Sequence, residues 1–282
     1  MSKIKKYPGS AILKLLVMVS ALLTFAVLLF LIGYILVNGI PHLSLDLFAL
    51  EYNTENVSMM PAIIYTLTIT VLALLIAVPV GIFSAVYLVE YAKKGNKFVG
   101  IIQITTETLS GIPSIVYGLF GMLFFVNTLK WRHSLLAGAF TVAIMVLPSI
   151  MRTTEEALKS VPDSYREGSF GLGAGKLRTV FRIVLPSAIP GILAGIILAI
   201  GRIVGETAAL IYTAGTVPKI PDSIMDSGRT LAVHMYNLSN EALYMNQAYA
   251  TAVVLLVLVI GINTLSSFVA KKLTKGNRNG EN

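Results

Sequence analysis

Residues 60–89 read MPAIIYTLTITVLALLIAVPVGIFSAVYLV, thirty positions without an Asp, Glu, Lys or Arg. An α-helix rises 1.5 Å per residue, so about 20 apolar residues cross a hydrocarbon core about 30 Å thick. In lipid the backbone must find its hydrogen bonds within its own segment, which makes this run a helix. Barrel strands would instead read as short segments of alternating polarity. Five more runs are similar: 15–45, 133–151 and 242–270 carry no charge, 98–129 carries only Glu107, and 183–218 only Arg202 and Glu206. The sequence therefore predicts an all-α membrane protein with six transmembrane helices, near 11–37, 61–89, 98–127, 134–151, 187–214 and 247–270.

Composition agrees. Charged residues are 13% of the 282, about half the share of roughly 25% usual in soluble domains. The mean hydropathy is +0.78. A soluble globular domain and a disordered chain are both excluded. With no cysteine, so are a disulfide scaffold, an iron–sulfur site and a cysteine-based zinc site. Of the 22 lysines and arginines, 17 fall on one side of the alternating spans and four on the other, with Arg202 inside a span. The positive-inside rule then puts both termini in the cytoplasm. It also accounts for the net charge of +8 without nucleic acid. Lys3, Lys5 and Lys6 precede the first run as in a signal peptide, but the run is too long and lacks a small-residue cleavage site, so a retained helix is expected. The expected organisation is an N-terminal helix and outward loop over 1–60, a main membrane domain over 61–273 and a disordered cytoplasmic tail over 274–282. No internal repeat of the kind seen in duplicated-half carriers is present.

The one long cytoplasmic loop is 152–186. Thr153-Thr154-Glu155-Glu156 and Ser164-Tyr165-Arg166-Glu167 both have capping-box spacing, which predicts a short helix starting near Ser164 after Pro162. Three glycines, at 168, 171 and 173, make that helix marginal alone, as expected of an element that docks on something else. Gly171-Leu172-Gly173-Ala174-Gly175-Lys176 is not a phosphate-binding loop, since Phe170 and Leu177 occupy the positions that need Gly and Ser or Thr.

Charges inside the spans carry the functional signal. Arg202 falls about midway along the fifth run, with Glu206 four residues on and thus expected one turn away on the same face. A charge there costs at least about 2.5 kcal/mol and normally faces a bundle interior or wet cavity. Two readings stand: a self-compensating ion pair that packs helices, and a station on a solute path, where the guanidinium offers forked donors to an oxyanion. Glu107 is followed by Gly111 and Pro113, which should distort the third helix and free backbone groups. It reads either as a counter-charge to Arg202 or as a protonated acid.

The loop resembles a motif of bacterial ABC importer permeases: Glu-Ala-Ala, three residues, Gly, nine residues, Ile-x-Leu-Pro. Here Glu167-Gly168-Ser169, Gly173 and Ile183-Val184-Leu185-Pro186 keep the spacing, with Gly168 and Ser169 replacing the alanines. Leu109-Ser110-Gly111-Ile112-Pro113 through Gly121, and Arg202-Ile203-Val204-Gly205-Glu206-Thr207-Ala208, are similar to segments of phosphate importer permeases. The Glu-Thr-Ala form, Tyr212-Thr213-Ala214-Gly215 and the ending Asn263 to Leu273 are similar to the PstA type. The resemblance implies a type I permease fold with a cytoplasmic coupling helix, and a multi-pass subunit of the bacterial cytoplasmic (inner) membrane that is not itself an enzyme. It implies a PstC-type second permease, a dimer of ATPase subunits carrying ATP and Mg, and a periplasmic phosphate-binding protein, with no cofactor bound by this chain. Import of inorganic phosphate would proceed by alternating access. Arg202, Glu206 and Glu107 would line the substrate pathway; Glu167, Phe170, Leu172, Gly173, Leu185 and Pro186 would serve ATPase coupling, Gly173 permitting close approach. Sulfate and molybdate permeases share a looser Arg-x-x-Gly-Glu, so another oxyanion, phosphonate included, is the alternative.

Other classes fare worse. His42, His133 and His234 form no His-Glu-x-x-His pattern, and solvated or interfacial histidines are expected, with no metal site. An ion-driven carrier or channel would keep the intramembrane charges without needing the long loop.

Overall fold

The computed structural model describes residues 8–93, 95–241 and 243–278. Of the lysines counted above, Lys3, Lys5, Lys6 and Lys94 lie outside the described residues. Among the described residues the chain forms helices and no strand. The order is α1 (Pro8–Gly39), α2 (Met60–Val86), α3 (Lys97–Ser110), α4 (Ser114–Gly121), α5 (Leu135–Lys159), α6 (Asp163–Gly171), α7 (Lys176–Thr179), α8 (Leu185–Val204), α9 (Ala208–Thr213), α10 (Leu231–Glu241) and α11 (Met245–Arg278). Widened π-helical turns extend α2 over Tyr87–Tyr91 and α4 over Met122–Thr128, and join α7 to α8 over Val180–Val184. The last of these sits just before Pro186. A proline ring collides with the carbonyl four residues back in a regular helix, and the wider turn relieves that contact.

Among the described residues five helices are long and apolar enough to cross a membrane, and α3 with α4 makes a sixth if the bent pair is one span. The third span is therefore not the continuous helix expected over 98–127: its halves meet at 103°. Gly111 ends α3 and Pro113 starts α4 with an extended backbone, so no helical register passes through. The carbonyls freed at the break are satisfied locally. Gly111 N–H donates to Thr108 O, Ile112 N–H to Leu109 O at 3.1 Å, and the buried Tyr117 hydroxyl to Leu109 O at 2.7 Å.

The remaining spans differ mainly at their ends. The fourth runs on to Lys159, so Thr153 and Glu156 lie inside α5 and cap nothing. The last runs through Arg278, taking in part of the segment expected as an irregular tail; 279–282 lie outside the described residues. The fifth stops at Val204, where Gly205 forms the cap.

α5 is the most enclosed span, while none of the apolar window of α1 is buried. Tyr65, Ile69, Ala73, Val142, Val146, Ile150, Ala199 and Ile203 form the main core between α2, α5 and α8. Small residues allow the helices to approach closely, as is usual in bilayers. A side chain at Gly195 would begin 2.0 Å from Thr153 Oγ1, and one at Gly118 would begin 2.7 Å from the Ala209 backbone. A second cluster, with Ala85, Val86, Leu158, Val161, Val180 and Val184, lies where α6 and α7 leave the bundle.

Candidate functional site

A cavity of about 780 Å³ opens between α3, α5 and the end of α8. It is lined by Gln103, Thr106, Glu107, Ser110, Ser149, Arg152, Thr153, Glu155, Glu156, Lys159 and Arg202, with Gly100, Ile104 and Pro148. Arg202 sits at its inner end in the last turn of α8, half-buried. Among the described residues its guanidinium makes no ion pair, and neither does the exposed carboxylate of Glu107. Toward the rim the charges are paired: Arg152 Nε with Glu156 Oε1 at 3.2 Å, and Lys159 Nζ with Glu155 Oε2 at 3.1 Å. Arg152 and Glu156 are mostly exposed, where such a pair contributes about 0–1 kcal/mol.

Arg202 and Glu206 do not form the one-turn pair that their spacing suggested. α8 ends between them, and Glu206 turns away to accept the Ala209 N–H at 3.0 Å, capping the six-residue α9. It is 8% exposed and does not line the cavity. Glu107 and Arg202 share the cavity. Gly111 and Pro113 make the bend that sets Ser110 and Glu107 at its wall. Tyr117, which no sequence signal singled out, closes the bend from the α4 side.

The second constellation is the foot formed by α6 and α7. α6 begins at Asp163 with Pro162 before it and no side-chain cap, so the Ser164–Glu167 box is not made; the Glu167 side chain is exposed. α6 ends at Gly171 in a double closure: Gly173 N–H donates to Phe170 O at 2.9 Å, and Ala174 N–H to Ser169 O at 3.1 Å. Gly173 supplies this with φ +80°, the left-handed conformation glycine favours. Among the described residues no atom lies within 4 Å of where its side chain would begin, so within this chain the need for glycine is conformational. The turn leaves Leu172 91% and Phe170 47% exposed. Leu185 and Pro186 stand apart from this surface at the start of α8, Leu185 packed against the second apolar cluster.

The histidines differ from expectation at one position. His42 Nδ1 lies 2.9 Å from Asn38 O at the end of α1, but His234 in α10 is fully buried, both ring nitrogens without a hydrogen-bond partner. It stands edge-on to Tyr52, over whose ring Arg229 lies at 4.7 Å. Burial, reinforced by the Arg229 charge, holds the imidazole down at about 3. Among the described residues no three acidic or histidine side chains are placed to hold a metal ion.

Residues 77–279 match the family described as binding-protein-dependent transport system inner membrane component. The chain belongs to that family. Among curated proteins it is 34% identical over 271 residues to the probable ABC transporter permease protein YqgI of Bacillus subtilis, covering 88% of this chain and 92% of that one. It is 36% identical over 214 residues to the phosphate transport system permease protein PstA of Mycobacterium leprae (74% and 70% covered). To the PstA of Haemophilus influenzae it is 32% identical (84% and 86% covered). Its fold matches a chain of a bacterial alginate ABC transporter crystallised with its periplasmic protein, with a TM-score of 0.70 at 16% identity over 98% of this chain and 99% of that one. The MetNI methionine ABC transporter gives 0.59 at 19% identity, over 77% and 94%. The chain is thus a multi-pass ABC permease with the importer permease fold, and a transporter component rather than an enzyme.

Proposed function

We propose that this permease forms, with a second permease of PstC type, the path by which inorganic phosphate enters the cytoplasm. The observation that carries the reading is Arg202, without an ion pair among the described residues, at the inner end of a polar cavity, in a chain similar to several PstA permeases. A guanidinium with no internal counter-charge lends its forked donors to a passing oxyanion. Glu107, which lines the same cavity from α3, keeps the hold transient, because a transported anion must also leave. It also accepts a hydrogen bond from a protonated phosphate oxygen, which a fully deprotonated anion such as sulfate cannot offer.

The driving force comes from elsewhere. Two copies of an ATPase, carrying ATP and Mg, close on the inner face and receive α6 in a groove. Phe170 and Leu172 present the apolar contact, Glu167 stands beside them, and the left-handed turn at Gly173 holds the pair outward; Leu185 and Pro186 anchor the foot to α8. Closure swings the cavity outward to take phosphate from a periplasmic binding protein, and hydrolysis resets it. The chain sits in the bacterial inner membrane with both termini in the cytoplasm, and binds no cofactor of its own. The test is uptake of radiolabelled phosphate by the reconstituted complex, with sulfate, molybdate and phosphonate as competitors. Phosphate accumulation resistant to the other three is expected; accumulation of one of them in its place overturns the choice of cargo.

A further inference from the structure

Arg166 projects from α6 into the seam between the foot and the bundle, and its side chain is 16% exposed. Every one of its five N–H groups has an acceptor. Nε and Nη2 reach Glu90 Oε1 at 3.2 and 2.7 Å; Nη2 also donates to Leu158 O at 3.0 Å, and Nη1 to Val161 O at 2.8 Å and Asp163 Oδ1 at 3.2 Å. Glu90 lies in the π-helical turn that ends α2, its side chain 8% exposed. Leu158 and Val161 belong to the carboxyl end of α5 and the turn after it. One guanidinium thus joins three elements, and a planar five-donor fork is the group suited to it. A second tie runs alongside: Lys176, at the start of α7, lies 5.1 Å over the ring of Tyr91 in the same π-helical turn. Inside the foot, the buried Ser169 and Thr179 hydroxyls meet at 2.8 Å and bind α6 to α7.

We propose that Arg166, through Glu90, is the positioning residue that makes the foot, the end of α2 and the end of α5 move as one body, so that displacement of α6 reaches the cavity. This rests on the ATPase-driven reading above. Cavity-lining residues sit on α5 just above the joint: Arg152, Glu155, Glu156 and Lys159 are all within two turns of Leu158. A foot tethered only by chain would dissipate its motion in the turn at Ser160–Pro162. A buried, saturated ion pair resists bending at that turn.

The chain has no cysteine, so Ser110→Cys places a single thiol at the cavity wall. In the assembled complex, labelling of this chain by a membrane-impermeant maleimide from the inner side is followed with and without trapped ATP. This readout needs no cargo, and phosphate uptake by the same vesicles separately tests the importer reading. Trapped ATP is expected to slow labelling about tenfold in the Ser110→Cys parent, as a two-state shift of the cavity requires. Adding Glu90→Ala should leave the ATPase bound, because Phe170 and Leu172 are untouched, yet reduce the slowing to less than about twofold; Glu90→Asp should recover part of it. A Glu90→Ala complex that keeps the full slowing overturns the proposal. If that chain fails to assemble, Glu90→Gln, which keeps the volume and one acceptor, decides in the same way. A parent whose labelling ignores ATP overturns it too, since there is then no motion to carry.

Discussion

Two arginines, one in the cavity and one in the foot, are treated in opposite ways. Arg166 has all five donors satisfied and a carboxylate enclosed beside it. Arg202 has no ion pair among the described residues and faces open volume. A saturated guanidinium is a fixed joint, because releasing it strands a buried charge at about 3–5 kcal/mol. An unsaturated one is a place for something that comes and goes. The contrast separates the mechanical part of the molecule from the part that meets the solute.

The sharpest way to break that contrast is Arg202→Gln. Losing the charge-assisted donors is expected to lower phosphate uptake roughly 100-fold, with chain level and ATPase binding unchanged. An equal fall in chain level would make Arg202 another joint. Next in size, Gly173→Val forces a β-branched residue into the left-handed region at about 1–3 kcal/mol and shifts Leu172. Co-purification of the ATPase should fall about tenfold, while Gly173→Asn, which tolerates that conformation, should stay near the original level.

His234 extends the comparison to a buried group whose ring nitrogens have no hydrogen-bond partner among the described residues. Its folded pKa, about 3, lies below the ordinary 6.5. The unfolded chain therefore binds the extra proton first, and stability present above pH 6.5 is lost as pH falls toward 3, by about 1.4 kcal/mol per unit. Hydrogen-exchange protection factors in α10, which are corrected for the slower intrinsic exchange at lower pH, should fall about fivefold between pH 6.5 and 5.5, and His234→Leu should flatten that trend. The smallest effect is expected from Tyr117→Phe. It leaves the Leu109 carbonyl one partner short at about 1 kcal/mol, read as a fall of a few degrees in the melting temperature of the complex.

The spans were legible because a bilayer tolerates so few charges that their absence marks each helix. Gly111 and Pro113 announced a distortion, but not a turn of 103°, which depends on α4 packing against α9 through Gly118 and on Tyr117 reaching Leu109. The spacing of Arg202 and Glu206 misled, because a four-residue interval means one helical turn only where the helix continues, and Gly205 ends it. Thr153 misled for a related reason, since it lies inside a helix already under way, whereas the Ser164 spacing placed the start of α6 to within one residue although its side-chain cap is not made. The joint at Arg166 was invisible because Glu90 is 76 residues away. No local pattern reports a pairing that only the packing of α2 against α5 creates.

The most direct measurement is phosphate accumulation in vesicles that hold this chain and its second permease, fed by the binding protein, with and without the ATPase subunits and ATP. Uptake against a gradient only when both are present is expected. Equal accumulation by the two permeases alone, in nucleotide-free vesicles, would contradict an ATPase-driven foot.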